Sequence, residues 1–341
     1  SGAAGPASCG GPTPSSDPSA PVGVGGAAYF AADDGVHGRE LWRSDGSGAE
    51  LVKDVRPGGE SSDVSNLTAV GDLVFFTADD GVHGKELWRS DGTSAGTVLV
   101  KDISSGDDYY GGPASLTAVG ERLFFTIDDD AHGRELWRSD GTRAGTALVK
   151  DIDPDDTSYY SGPNNLTAVG DALFFAADDG VHGRELWTSD GTKAGTVQVD
   201  DIRAGSYDGD PEYLTAVGSG IYFTARDGVH GRELWSSDGT AAGTHLVRDI
   251  RPGSPSSGPG ELTDVGGKLF FNADDGVHGR ELWTSDGSDA GTVLVADLDP
   301  NDEDEYYGGA SSLTDVAGTL FFTTDDGVHG RELWTSDGTE A

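Results

Sequence analysis

The sequence predicts an all-β fold, a seven-bladed β-propeller of four-stranded antiparallel blades whose last blade is incomplete, and three observations predict it. First, the seven tryptophans of the 341-residue chain, Trp42, Trp88, Trp137, Trp187, Trp235, Trp283 and Trp334, stand 46 to 51 residues apart, a period that marks an array of supersecondary units. Second, each period holds four short apolar or alternating runs separated by turns rich in Gly and Asp. Third, hydrophobic residues make up only 35% of the chain while Gly numbers 54, which suits short strands and tight turns rather than long helices.

Residues 1–19 are Gly, Pro, Ser and Ala with one cysteine, a composition that cannot bury enough apolar area to fold alone, so they read as a tail or donor segment. The run from Cys9 to Ser16 resembles the spacer behind the lipid-bearing cysteine of bacterial surface lipoproteins, which makes Cys9 a candidate for anchoring or assembly; an exposed thiol is the plainer reading. The chain starts at Ser1 and contains no Met, so the sequence is expected to begin after a processing event.

The propeller is assigned to residues 20–341. In its second unit Leu67–Gly71 reads as a short strand, Leu73–Ala78 as an apolar strand buried on both faces, Lys85–Ser90 as a third and Thr97–Ile103 as a fourth. The apolar strand recurs as Leu123-Phe124-Phe125, Leu173-Phe174-Phe175, Ile221-Tyr222-Phe223, Leu269-Phe270-Phe271 and Leu320-Phe321-Phe322. The first unit has a degraded first strand around Pro21–Phe30, and the last stops at Ala341 before a fourth strand can begin. An outer edge without its last strand exposes unpaired backbone groups and invites a strand from elsewhere, for which residues 1–19 are the expected donor.

Lys and Arg number 22 against 60 Asp and Glu, a formal charge of -38, so the field repels phosphate backbones and anionic lipids and excludes nucleic acid as a partner class. No apolar run approaches the length of a transmembrane helix.

The string Glu-Leu-Trp-x-Ser-Asp-Gly-Thr-x-x-Gly-Thr, at Glu86–Thr97, Glu135–Thr146, Glu185–Thr196 and Glu233–Thr244, resembles the ELWxxDGTxxGT repeat of large secreted and surface proteins of bacteria. The resemblance covers residues 20–341. It departs from the pattern in the first unit, at Ser288 in the sixth, and in the cut-off seventh. It implies an extracellular or cell-surface, non-catalytic protein.

Candidate sites follow from what repeats and what varies. Each unit offers one histidine of the set His37, His83, His132, His182, His230, His278 and His329, expected to lock its loop rather than bind zinc. The basic residue before each Glu, such as Arg39 before Glu40 or Arg232 before Glu233, is expected to join these glutamates in inter-strand or inter-blade ion pairs. The Asp-Asp-Gly turns place Asp33, Asp34, Asp79, Asp80, Asp178, Asp179, Asp274, Asp275, Asp325 and Asp326 where one carboxylate caps amides and the second is a candidate oxygen ligand, with Ca²⁺ the candidate cofactor. The variable acidic loops carry Tyr109, Tyr110, Tyr159, Tyr160, Tyr306 and Tyr307, aromatic faces suited to stacking on sugar rings. No phosphate loop and no nucleophilic triad stands outside the repeat, so no enzyme is expected. Two functions compete: a structural surface protein that assembles into a homopolymer by donating its N-terminal segment to a neighbour's last blade, and a calcium-assisted glycan-binding adhesin.

Overall fold

A computed structural model describes residues 16–104, 112–155, 162–298 and 309–339. Among them are seven antiparallel sheets, six of four strands and one of three, each a meander in sequence order. The all-β, seven-bladed propeller class expected from the repeats is the observed one. Two compact units divide the chain, residues 1–164 with Gly191–Lys193 and residues 165–190 with 194–341, so blades 1 to 3 fall in the first and nearly all of blades 4 to 7 in the second.

Blade 2 illustrates how the sequence makes a blade. Its strands are Ser65–Val70, Leu73–Asp79, Lys85–Ser90 and Val98–Lys101. Gly71, at φ 56°, closes the first hairpin in the left-handed region a two-residue turn requires. The second strand is buried from Val74 to Ala78 because its alternate side chains serve different neighbours. Phe76 joins Trp88 and the residues of blade 1 around Leu41, whereas Phe75 joins Leu87 and the residues of blade 3 around Phe125. A strand packed on both faces has no polar side to show, which is why this run alone lacks alternation. In the second unit the same sandwiching places apolar clusters between blades 4 and 5, 5 and 6, and 6 and 7.

First strands of successive blades are tied by side chains. Thr68 Oγ1 donates to Leu116 O at 3.5 Å within the first unit, and Thr167, Thr215 and Thr263 donate to Leu214, Leu262 and Leu313 carbonyls at 3.2, 3.4 and 3.5 Å within the second. Each such strand also holds a non-glycine residue at positive φ: Asn66, Ser115, Asn165, Tyr213, Glu261 and Ser312 lie between 53° and 57°. A register shift accompanies it in blades 2, 3, 5, 6 and 7.

The two end blades differ from the rest as expected. The first strand of blade 1 is only Val22–Val24, and the described end of the tail prolongs it: Ser19 N donates to Ala31 O at 2.9 Å, and Asp33 N to Ser16 O at 3.0 Å. That part of the tail is spent within its own blade. Blade 7 consists of Ser311–Val316, Thr319–Asp325 and Arg331–Ser336, with no fourth strand among the described residues. No described helix is long and apolar enough to cross a membrane.

Candidate functional site

The repeated loop Asp-Asp-Gly-Val-His-Gly joins the second and third strands and is closed on itself. In blade 2 Asp79 Oδ1 accepts Gly81 N at 2.7 Å; Asp80 Oδ1 accepts the amides of Val82 and His83 at 2.9 Å each, and Asp80 Oδ2 lies 2.8 Å from His83 Nδ1. The pattern repeats at Asp33 and Asp34 with His37, Asp178 and Asp179 with His182, Asp274 and Asp275 with His278, and Asp325 and Asp326 with His329. The second carboxylate, read from sequence as a spare ligand, therefore bonds two amides and an imidazole. Among the described residues no group of three or more His, Cys, Asp or Glu side chains is arranged to hold a metal ion. The histidines lock their loops, but through the aspartate carboxylate rather than, as expected, through the loop backbone. The carboxylate bond raises each imidazole above its usual pKa, and the His329 bond, with the loop amides, lowers Asp326 to about 2.

The glutamate of Glu-Leu-Trp departs from expectation. Glu40 does not pair with Arg39; its carboxylate accepts Val55 N at 2.9 Å, Ser62 N at 3.2 Å and Ser62 Oγ at 2.7 Å, in the connection to the next blade. Arg39 instead donates to Asp17 O. Glu233 likewise accepts Ile250 N and Ser257 N at 3.0 and 2.8 Å while Arg232 bonds Asp210. The amides of a turning loop need acceptors, and a buried carboxyl supplies two. Burial, opposed by these amides, pushes Glu86 and Glu135 up to about 7, Glu185 to about 8 and Glu233 to about 6. Among the described residues Glu86 Oε2 and Glu135 Oε2 have no hydrogen-bond partner.

Blade 7 has three strands among the described residues. In blade 2 the third strand pairs with the fourth, Trp88 opposite Leu99 and Arg89 opposite Val98, while Leu87 packs against blade 3 and Trp88 against blade 1, leaving them 0% and 6% exposed. In blade 7 the equivalent Leu333 and Trp334 are 69% and 37% exposed. Beside that edge lies a cavity of about 430 Å³ bounded by Leu282, Val295, Ala296, Phe322, Trp334 and Asp337. The open edge was legible in the sequence. Ala296 was not singled out; it stands where blades 1, 2, 3 and 5 carry Lys53, Lys101, Lys150 and Arg248 and blade 4 carries Asp200.

The remaining candidates, Tyr109, Tyr110, Tyr159, Tyr160, Tyr306, Tyr307 and Cys9, lie outside the described residues.

No protein-family model and no curated protein matches the sequence. Solved structures do share the fold. A prolyl endopeptidase studied for inter-domain dynamics in catalysis and specificity is 14% identical over 94% of this chain and 50% of its own, with a TM-score of 0.51. Prolyl oligopeptidase B from Galerina marginata is 12% identical over 91% of this chain and 46% of its own, again at 0.51. The propeller domain of the trilobed protease from Pyrococcus furiosus is 12% identical over 95% of this chain and 96% of its own, at 0.48. The chain spans about half the length of the two prolyl peptidases. At such identities the likeness is one of fold. It nevertheless corrects two expectations. A propeller of this architecture forms about half of an enzyme chain in those peptidases, so the fold does not carry the expectation of a non-catalytic, self-assembling structural protein, nor the expectation that the chain is not an enzyme.

Proposed function

We propose that this propeller is a polypeptide-recognition module of a peptide-processing protein. What supports this reading is its likeness of fold to two prolyl peptidases, in which such a propeller takes up about half of the chain. Prolyl oligopeptidase B is bound to a 35mer substrate in its structure; polypeptide handling, without any cleavage chemistry, is what we carry over from it. The net charge of -38 favours cationic segments among the polypeptides it would take.

Fluorescently labelled, unstructured lysine-containing peptides serve as the probe. Saturable binding to the intact chain is expected by anisotropy, weakening as salt rises. Absence of saturable binding at low salt would sink the polypeptide-recognition reading. We further place the module outside the cell on the strength of its ELWxxDGT-type motif, and recovery of the protein from the cytoplasm of cells that make it would reverse that placement.

A further inference from the structure

We infer that a cavity between the first strands of blades 5 and 6, Glu212–Val217 and Gly260–Val265, seats the C-terminal carboxylate of a polypeptide on Arg280. This rests on the polypeptide-recognition reading and names the part of the polypeptide that is recognised.

Blade 5 shows how a guanidinium at this place is neutralised. Asp210 Oδ2 bonds Arg232 Nη2, and Glu212 Oε2 lies 3.2 Å from Arg232 Nη1. In blade 6 Arg280 stands where Arg232 does, and Gly258 and Gly260 stand where Asp210 and Glu212 do. Blades 3, 4 and 7 also carry glycine at the first of these places, as Gly112, Gly162 and Gly309, but they hold Ala114, Asn164 and Ser311 at the second, so blade 6 alone lacks a side chain at both. Arg280 Nη1 donates to Asn272 Oδ1 and Nη2 to Gly258 O at 2.8 Å, and both acceptors are neutral. Among the described residues no carboxylate pairs with it; Asp274, on the same hairpin, gives its Oδ2 to Arg251 at 2.5 Å. A half-buried guanidinium without a countercharge is costly, and burial pushes Arg280 below its usual pKa.

A cavity of about 410 Å³ opens on this guanidinium, bounded also by Tyr213, Leu214, Glu261, Leu262 and Asn272, and its volume is that of a small-ligand site. Tyr213 lies at φ 54° and is 56% exposed. The equivalent left-handed place holds Asn66, Ser115, Asn165, Glu261 and Ser312 in the other blades, and a bulky ring is the residue least suited to it. Backbone strain of this kind gathers at ligand sites. Glu261 Oε2 accepts Leu313 N at 3.2 Å, which holds that carboxylate beside the cavity as an acceptor. The last residue of a polypeptide matches these groups with a carboxylate for Arg280, an N–H on the adjoining Cα for Glu261 and a side chain for Leu214 and Leu262. An internal Asp or Glu carries its carboxylate on a flexible stem, further from its N–H.

Three labelled peptides of Gly, Ser and Lys test this on the intact chain by anisotropy: one ending in leucine as the free acid, the same peptide as its C-terminal amide, and that amide with one Ser replaced by Glu. The acid is expected to bind about tenfold more tightly than the amide. That preference runs against the net charge of -38, which favours the more cationic amide. The Glu-containing amide is expected to bind no more tightly than the plain one. Gly260→Glu reproduces the Glu212–Arg232 pair at a residue whose φ is not left-handed, and Arg280→Gln removes the charge; each is expected to erase the acid preference. Equal affinity for acid and amide, or an acid preference that survives either variant in folded protein, overturns the inference while leaving polypeptide recognition in place. A Glu-containing amide that binds as tightly as the acid overturns the terminal assignment in favour of a side-chain carboxylate. Failure of all three peptides to bind at low salt overturns polypeptide recognition and this inference together.

Discussion

Glu86 Oε1 accepts the backbone amide of Ser104 at 2.7 Å and that of Ile103 at 3.0 Å, so a carboxyl in the third strand of blade 2 holds the chain as it leaves for blade 3. Removing it strands two amides, that of Ser104 buried and that of Ile103 partly so. Glu86→Ala is expected to cost about 3 kcal/mol in urea unfolding, whereas Glu86→Gln, which keeps an acceptor and no charge, should cost less than about 1 kcal/mol. Equal losses would show that charge rather than acceptance matters.

The same carboxyls set a pH dependence with a definite sign. Burial raises Glu86, Glu135, Glu185 and Glu233 to between about 6 and about 8, so between their unfolded value of 4.5 and those values the folded chain retains protons the unfolded chain has lost. Their stabilisation is complete below 4.5 and fades as pH rises through the folded values. The histidines, raised above 6.5 by their aspartates, contribute in the same direction, fully below 6.5 and less as pH rises through their folded values. The aspartates work oppositely: bonds to His329 and the loop amides lower Asp326 to about 2, so its contribution is present above 3.8 and is lost as pH falls through about 2. Unfolding free energy is therefore expected to be greatest near pH 5 and to fall by at least about 3 kcal/mol by pH 8. A midpoint that rises from pH 5 to pH 8 would contradict the assignment.

Gly96 illustrates a position where one methyl group is too many. A Cβ there would collide with Asp91 Oδ1, the atom that accepts Thr93 N at 2.9 Å and Thr93 Oγ1 at 2.7 Å. Gly96→Ala should cost roughly 2–3 kcal/mol by displacing that carboxylate. Gly23→Ala, with nothing within 4 Å and no positive φ, should change stability by less than about 1 kcal/mol. Thermal melts of the two variants separate crowding from backbone entropy.

Asp80 closes its loop through Val82 N, His83 N and His83 Nδ1, and Asp80→Ala should cost about 2 kcal/mol. With those oxygens engaged inside the protein, a chelator is expected to leave the melting temperature unchanged. A fall in melting temperature on adding EDTA, restored by Ca²⁺, would assign these carboxylates to metal binding.

The architecture was legible because the repeat is covalent bookkeeping of contacts. Ser90 and Thr97 bond through their hydroxyls at 2.8 Å, Ser90 Oγ accepts Gly92 N at 3.0 Å, and Thr93 Oγ1 accepts Gly96 N at 2.9 Å, so the letters Ser-Asp-Gly-Thr-x-x-Gly-Thr each have a local partner. Local partners leave a pattern in sequence. The partner of Glu86 lies 18 residues on, in a connection that varies from blade to blade, and a backbone amide carries no residue type to recognise. The left-handed residues of the first strands were hidden for a similar reason: Asn66, Ser115, Tyr213 and Glu261 share a φ but no chemistry.

Because Glu40 takes hold of Val55 and Ser62, beyond the last strand of its own sheet, the heritable module is offset from the visible one. A duplication or deletion cut at the sheet border would sever carboxyl from loop. One cut between successive Glu-Leu-Trp strands would carry both together, so such genes are expected to grow and shrink in that phase.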